Sequence, residues 1–496
     1  MAINFTYYPT SNRVPGVYVE MDPSQANTAT VLQNSLLIGQ MLPSGSATPD
    51  EPLLIESQAQ ILTALGSGSM LASMASRYVQ RDPFGPCYVL PLKDNSAGEA
   101  AEGEITLSGT ATANGTLNIY IAGTRVQAGV TSGDTGAVAA ASLKSAIDAT
   151  LGLVVNSGTI DNSGTVGSVI PLTANNAGQA GNDIDLQQNY LGTAGGEFPV
   201  PGLAVSFTPF DGGTANPDFS NALGNLSSTA FDFICLPYND TASLNLMKDF
   251  LADDVGRWSW EQMIYGGCFT AFRGTLGECT TFGLSRNDQH MSAMAFNGSP
   301  DPEWIWATEI TAACAASLRV DPGLPLQYIN TTLQAPPIPD QWTLGERNTL
   351  LYDGMSTTRV GDDGTVILER MTTTYQKNAA GAPDNSYLDV ETMYGLMFVA
   401  RNMADYLLTR YARKKLVSDT TVILYGSNCV NAPMIKASVI ANYRALEQQG
   451  YVQNSTTFAQ NVIVENAGNG LVKILAPVDL VNQLRQIAIL LQFTKS

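Results

Sequence analysis

His290 is the single histidine of a 496-residue chain, and imidazole is the side chain whose charge changes near neutral pH. It stands in Asp288-Gln289-His290-Met291, just before an apolar, strand-like run. A catalytic triad would want a serine on a G-x-S-x-G elbow, and that pattern does not occur. A zinc or iron centre would want several imidazoles or thiolates at short spacing. The six cysteines, Cys87, Cys235, Cys268, Cys279, Cys314 and Cys429, are far apart, and most lie in apolar runs. They read as buried, reduced thiols. Asp253-Asp254 falls at the end of a predicted helix and Asp362-Asp363 precedes Gly364 in a predicted turn, so both pairs read as solvated carboxylates. No G-x-x-x-x-G-K-[ST] loop is present, and Gly66-Ser67-Gly68-Ser69 and Gly468-Asn469-Gly470 read as turns. The residues predict no catalytic centre, no metal and no cofactor. A hydrolase using His290 is the competing enzymatic reading.

The elements that would position such residues form four regions. Residues 1–95 mix short strands (16–21, 35–39, 86–92) with helices at 57–65 and 69–80. Residues 96–211 turn Gly/Ala/Thr/Asn-rich, with alternation such as Thr116-Leu117-Asn118-Ile119-Tyr120-Ile121 and one good helix near 138–149. They predict a β-rich domain inserted as one unit; a surface or adhesin-like binding protein would use this region. In 212–335 strands at 231–237, 262–272 and 290–296 alternate with helices at 243–255 and 302–318. That pattern implies an α/β layer with a partly parallel sheet. After the Pro-rich boundary Ala335-Pro336-Pro337-Ile338-Pro339, residues 336–496 carry helices at 344–352, 390–416 and 433–449 and a hairpin at 361–364. The fold class is thus a mixed α/β and β multidomain chain.

Charged residues are only 14% of the chain and the net charge is −19, which argues against a protein that coats nucleic acid or an anionic membrane. No run reaches the 18 apolar residues of a membrane span, and the first residues lack the pattern of a signal peptide, so a soluble protein is expected. The charge is divided unevenly: residues 401–496 hold ten Lys/Arg and five acids, +5, leaving −24 for the first 400. Arg413-Lys414-Lys415 closes a predicted helix, where cations suit the macrodipole. A basic face meeting an acidic partner would explain the bias of the whole end.

Two terminal segments are β-prone. Arg13-Val14-Pro15-Gly16-Val17-Tyr18-Val19-Glu20 opens on Pro-Gly. Near the other end Ile487, Ile489, Leu491 and Phe493 alternate, a strand's period of two, although Leu480, Leu484, Ile487 and Leu491 also fit a helix. Each segment is either an edge strand of its own domain or an arm added to a neighbour's sheet. An eight-residue arm makes about four ladder bonds worth roughly 1 kcal/mol each and costs about 1–2 kcal/mol per residue to order. Burial of the four apolar side chains, at about 1.5–3 kcal/mol each, would have to hold it.

Pro15-Gly16-Val17-Tyr18-Val19-Glu20 resembles the opening motif of contractile-tail sheath proteins. The runs Leu36-Leu37-Ile38-Gly39, Leu65-Gly66-Ser67-Gly68-Ser69-Met70-Leu71, Asp82-Pro83-Phe84-Gly85 and Leu90-Pro91-Leu92 look like the sheath of Mu-like phages. So do Pro477-Val478-Asp479-Leu480-Val481-Asn482-Gln483-Leu484-Arg485 and Leu491-Gln492-Phe493. The resemblance implies a non-enzymatic subunit of a six-start helical sheath in the virion, made in the bacterial host cytoplasm. Its partners would be its own copies, a tail tube protein, and baseplate and tail terminator proteins, without direct contact to nucleic acid or insertion into membrane. It further implies an inner α+β domain built from both termini, with the α/β middle domain and the inserted β-rich domain outside. Val14, Val17, Tyr18 and Val19 and Ile487, Ile489, Leu491 and Phe493 would then be intersubunit arms. Arg413, Lys414, Lys415, Lys436 and Arg444 would be candidates for tube contact.

Overall fold

The computed structural model describes residues 33–163, 167–424 and 426–495. The chain opens with β1 (Ser35–Gln40), β2 (Leu53–Ile55), α1 (Gln58–Leu65), α2 (Met70–Arg81) and β3 (Cys87–Leu92). All six β1 residues are buried, as expected of a strand covered on both faces of a parallel sheet. Ser57 and Ser69 cap α1 and α2 by accepting from Gln60 and Ala72 N–H.

The chain then leaves the sheet for β4 (Ala100–Gly109), β5 (Gly115–Ile121), β6 (Thr124–Val130), α3 (Gly136–Ala149), β7 (Val155–Ser157), β8 (Ser168–Ala177), β9 (Leu186–Gln188) and β10 (Leu203–Asp211). These form a four-stranded sheet, β10-β4-β8-β7, and a three-stranded one, β6-β5-β9. Ala139, Ala140, Leu143 and Ile147 of α3 are buried. The segment departs and returns at one place: Glu99 bridges Thr214, and Asn95 Nδ2 donates to Asn216 O at 3.1 Å.

Back in the body come α4 (Ser220–Asn225), β11 (Phe233–Cys235), α5 (Thr241–Leu251), β12 (Gly267–Arg273), α6 (Leu276–Leu284), β13 (Met291–Phe296) and α7 (Glu303–Val320). The body sheet runs β13-β12-β11-β1-β3-β2, parallel except where β2 meets β3. Helix α7 is buried nearly all round, from Trp304 to Leu318, as befits a helix between layers. The strand expected at 262–272 starts at Gly267. Residues before it belong to a loop with left-handed φ at Met263 and Tyr265, a backbone no strand adopts. The helix expected at 243–255 likewise stops at Leu251.

The last third adds β14 (Ile329–Asn330), α8 (Leu344–Tyr352), β15 (Thr357–Val360), β16 (Val366–Arg370), α9 (Val390–Tyr411), β17 (Lys415–Leu416), β18 (Cys429–Val430), α10 (Ala432–Gln448), α11 (Ser455–Asn461), β19 (Ile463–Gly468) and β20 (Leu471–Leu475). Helix α9 joins two cores. Val390, Tyr394 and Met397 pack into the main one, and Val399 into a second with Val430, Ile435, Val439, Tyr443, Leu446, Val452, Phe458 and Val462. The sequence predicted this helix to residue 416. It ends at Tyr411 because the chain turns so that Lys415 and Leu416 can pair with Cys429 and Val430. Helix α10 follows its punctuation: Asn431 accepts from Met434 N–H, Pro433 sits in the first turn, and Gly450 past the end has φ 85°.

Candidate assembly face

His290 lies buried just before β13. Its Nε2 is 2.9 Å from Asp253 Oδ1, its ring stacks on Trp258 at 4.5 Å, and the cavity beside it holds about 20 Å³. That volume suits about one water molecule. Hydrogen bonding from His290 holds the Asp253 carboxyl below its ordinary range. Five cysteines are buried and all six are free; burial pushes the Cys235 thiol up to about 11, which suppresses the nucleophilic thiolate. Among the described residues no group of three or more His, Cys, Asp or Glu could hold a metal ion, and no helix is long and apolar enough to cross a membrane.

The second core carries the features suited to association. Arg413, Lys414, Lys415 and Arg444 are exposed and Lys436 is half-buried. None of the five forms an ion pair among the described residues; Lys414 Nζ donates to Asn428 Oδ1 at 3.2 Å. The end of α9 meets the first turns of α10 through the Tyr411 hydroxyl, which donates to Met434 O at 3.3 Å and contacts Ser438 Oγ. Residues 413–415 and Lys436 therefore share one end of the domain, while Arg444 lies two turns further along α10. The other two arginines of this region's body-facing side are already used: Arg401 pairs with buried Asp232 and Arg485 with Asp389 and Glu391.

Among the described residues, strands β19 and β20 pair only with each other, so each has one edge without a ladder partner there. The turn is Asn469-Gly470, with φ 51° and 80°, the left-handed pair that a type I′ hairpin requires. Val464, Val472 and Ile474 pack on the second core; Ile463, Leu471 and Leu475 face out, 57%, 52% and 62% exposed. Only the turn of this hairpin is expected from the sequence, although Asn-Gly between two alternating runs signals the strands as well.

The expected strand at 486–493 does not form within the subunit. Residues 481–495 carry no helix or strand, and Ile487, Ile489, Leu491 and Phe493 are 74–89% exposed. A strand needs a partner strand, and among the described residues this segment pairs with none. Val14, Val17, Tyr18 and Val19 lie outside the described residues.

Residues 212–374 match the phage tail sheath protein central domain and residues 382–494 the phage tail sheath C-terminal domain. The Mu-like prophage FluMu tail sheath protein of Haemophilus influenzae is 37% identical over 505 aligned positions, covering 99% of this chain and 100% of that protein. Among solved structures, the sheath tail protein of Desulfitobacterium hafniense aligns with TM-score 0.49 at 13% identity, covering 95% of this chain and 97% of that one. The contracted helical sheath of the anti-feeding prophage aligns at 0.43 and 12%, covering 98% and 100%. At 37% identity over essentially its whole length, this chain belongs to the phage tail sheath family, in its Mu-like group.

Proposed function

We propose that this sheath protein is the repeating subunit of a six-start helical tube that surrounds a tail tube, and that its contraction drives that tube through a host envelope. Energy stored in lattice contacts would power the movement, with no nucleotide and no enzymatic step. Baseplate and tail terminator proteins bound the polymer, and the basic end formed by Arg413, Lys414, Lys415, Lys436 and Arg444 meets the tube. The terminal arm of one copy adds to the open edge of the β19–β20 hairpin of another, and residues 14–19 act as a second arm.

The observation that carries this reading is the coexistence of a donor and an acceptor that stay unused among the described residues. Residues 486–493 alternate apolar side chains that remain exposed, while the hairpin offers free edges and apolar outward residues. A two-stranded hairpin is marginal by itself and gains from a third strand. Repeating donor-to-acceptor contacts that do not close into a ring generate open helices.

Deleting residues 486–496 tests it. The truncated subunit is expected to stay folded and monomeric, with the circular dichroism and melting temperature of the full chain, while electron micrographs show no tubes where the full chain polymerises. Loss of the fold would place the segment in the intramolecular core, and unimpaired tubes would remove the arm from the assembly.

A further inference from the structure

The chain between the second core and the arm is held in an unusual way. Leaving β20, it is fixed to the second core where Leu480 bridges Val452 and where Asp479 accepts from Gln453 Nε2 and Asn454 Nδ2 at 3.1 and 2.7 Å. It then crosses to the body. Gln327 Nε2 donates to Leu484 O at 2.9 Å. Arg485 Nη2 donates to Asp389 Oδ1 at 3.0 Å and to both Glu391 oxygens at 3.0 and 2.9 Å. Asp389 is the N-cap residue of α9 and Glu391 lies in its first turn. Beyond Arg485, residues 486–495 make no hydrogen bond among the described residues and every one of them is exposed.

Burial decides how firmly this contact holds. The Glu391 side chain is 0% exposed and that of Arg485 15%; burial pushes the Glu391 carboxyl up while the Arg485 guanidinium beside it pulls the other way. Asp389 is already shared with Arg370 at 2.9 Å. Withdrawing Arg485 would leave Glu391 enclosed without a cationic partner, a far costlier state than opening an exposed pair.

We propose that Arg485 is the anchor that fixes where the arm leaves the subunit, making it a positioning residue for assembly. The inference rests on the arm reading above. With the anchor closed, the free tether begins at Gln486, and residues 486–495 span at most ~33 Å at about 3.3 Å per residue. With it open, the tether begins near Val481, longer by about 17 Å on the same scale. A longer tether dilutes the arm around its acceptor and no longer aims it. The anchor also directs tension: a pull on the arm reaches the first turn of α9 and the body, bypassing the smaller second core.

The test compares four proteins for tube formation by electron microscopy, for limited proteolysis and for backbone hydrogen exchange. Arg485→Ala is expected to raise limited proteolysis at 481–485 more than about tenfold with hydrogen-exchange protection in α9 retained, and to cut tube yield about tenfold. Tethering the root through Gln327→Cys and Leu484→Cys with a short thiol cross-linker, in the Arg485→Ala background, is expected to restore at least half of that yield. Should Arg485→Ala fail to fold, a Gly-Ser-Gly-Ser insertion after Arg485 adds slack without touching the anchor, and the same fall in yield is expected. The fourth protein is the 486–496 deletion. Tubes from the deletion overturn the arm and the anchor together. No tubes from the deletion but parental yields from Arg485→Ala or from the insertion, or no recovery on cross-linking, overturn the anchor alone.

Discussion

At Glu303 a carboxylate is enclosed where the inserted β-rich segment meets the body. It accepts from Arg273 N–H at 2.8 Å, while the Arg273 guanidinium pairs with Asp183 and Asp183 accepts from Glu303 N–H. The guanidinium's ion pair goes to Asp183, so Glu303, which meets the Arg273 backbone N–H instead, is the cheaper of the two carboxyl groups to protonate. Burial, with the Asp183 charge adding to it, pushes Glu303 up to about 8, against about 4.3 in an unfolded chain. A carboxyl raised in the folded state binds its proton more tightly there. The stability this contributes is fully present below about pH 4.3 and is lost as pH rises towards 8. Glu303→Gln is neutral throughout. Its melting temperature by calorimetry is expected to fall less than the parent's between pH 5 and 8; parallel curves would show that Glu303 is ionised throughout. His290 illustrates the opposite lesson at the same scale. A lone imidazole is conspicuous in a sequence, yet here it is a stacked, buried side chain with one carboxylate partner.

At the scale of elements, local signals were readable and long-range ones were not. The caps of α10 follow from Asn431, Pro433 and Gly450 because capping is decided within a few residues. The end of α9 escaped the sequence because Arg413-Lys414-Lys415 suits a helix by propensity, and only pairing with Cys429 and Val430, over ten residues later, pulls the chain into β17. The loop at 252–266 misled for a related reason: Ile264 and Tyr265 look like the start of a strand, but tertiary contacts claim them, with Arg401 donating to Ile264 O at 2.8 Å and lying over the Tyr265 ring. In the last third, alternation marks 486–493 as a candidate arm, whereas the Glu391–Arg485 contact joins residues 94 apart in sequence, a distance no local pattern spans. The short β17 holds Lys415 outward beside Lys414, and both side chains are exposed and without an acidic partner among the described residues. Lys414→Glu with Lys415→Glu should therefore leave the melting temperature unchanged and weaken binding to purified tail tube by roughly fivefold or more at ~50 mM salt, with the difference shrinking towards ~500 mM as charges are screened. Equal binding at both salt concentrations would move the tube contact elsewhere on the domain.

Across the whole molecule, charge divides into −24 for the first 400 residues and +5 for the remainder, and among the described residues two large cores are joined through α9. The inserted segment is tied to the main body rather than tethered loosely. Asn176 accepts from Met70 N–H at 2.9 Å and donates to Asp94 at 3.0 Å, Gln334 Nε2 donates to Gly123 O, and Asp183 holds Arg273. Buried apolar residues of both regions form one continuous cluster. Those contacts couple the segment to the body through a shared core. Its removal is nonetheless geometrically simple, since Glu99 and Thr214 are already bridged. Replacing residues 100–213 with Asn-Gly would close that bridge with a two-residue hairpin turn. Each buried donor left without its partner costs about 1–3 kcal/mol, so the shortened subunit is expected to melt about 5–10 °C below the parent. Because the second core, the hairpin and the arm are untouched, it should still polymerise, giving tubes of smaller outer diameter in electron micrographs. A folded, shortened subunit that forms no tubes would show that the insertion carries part of the lattice contact itself.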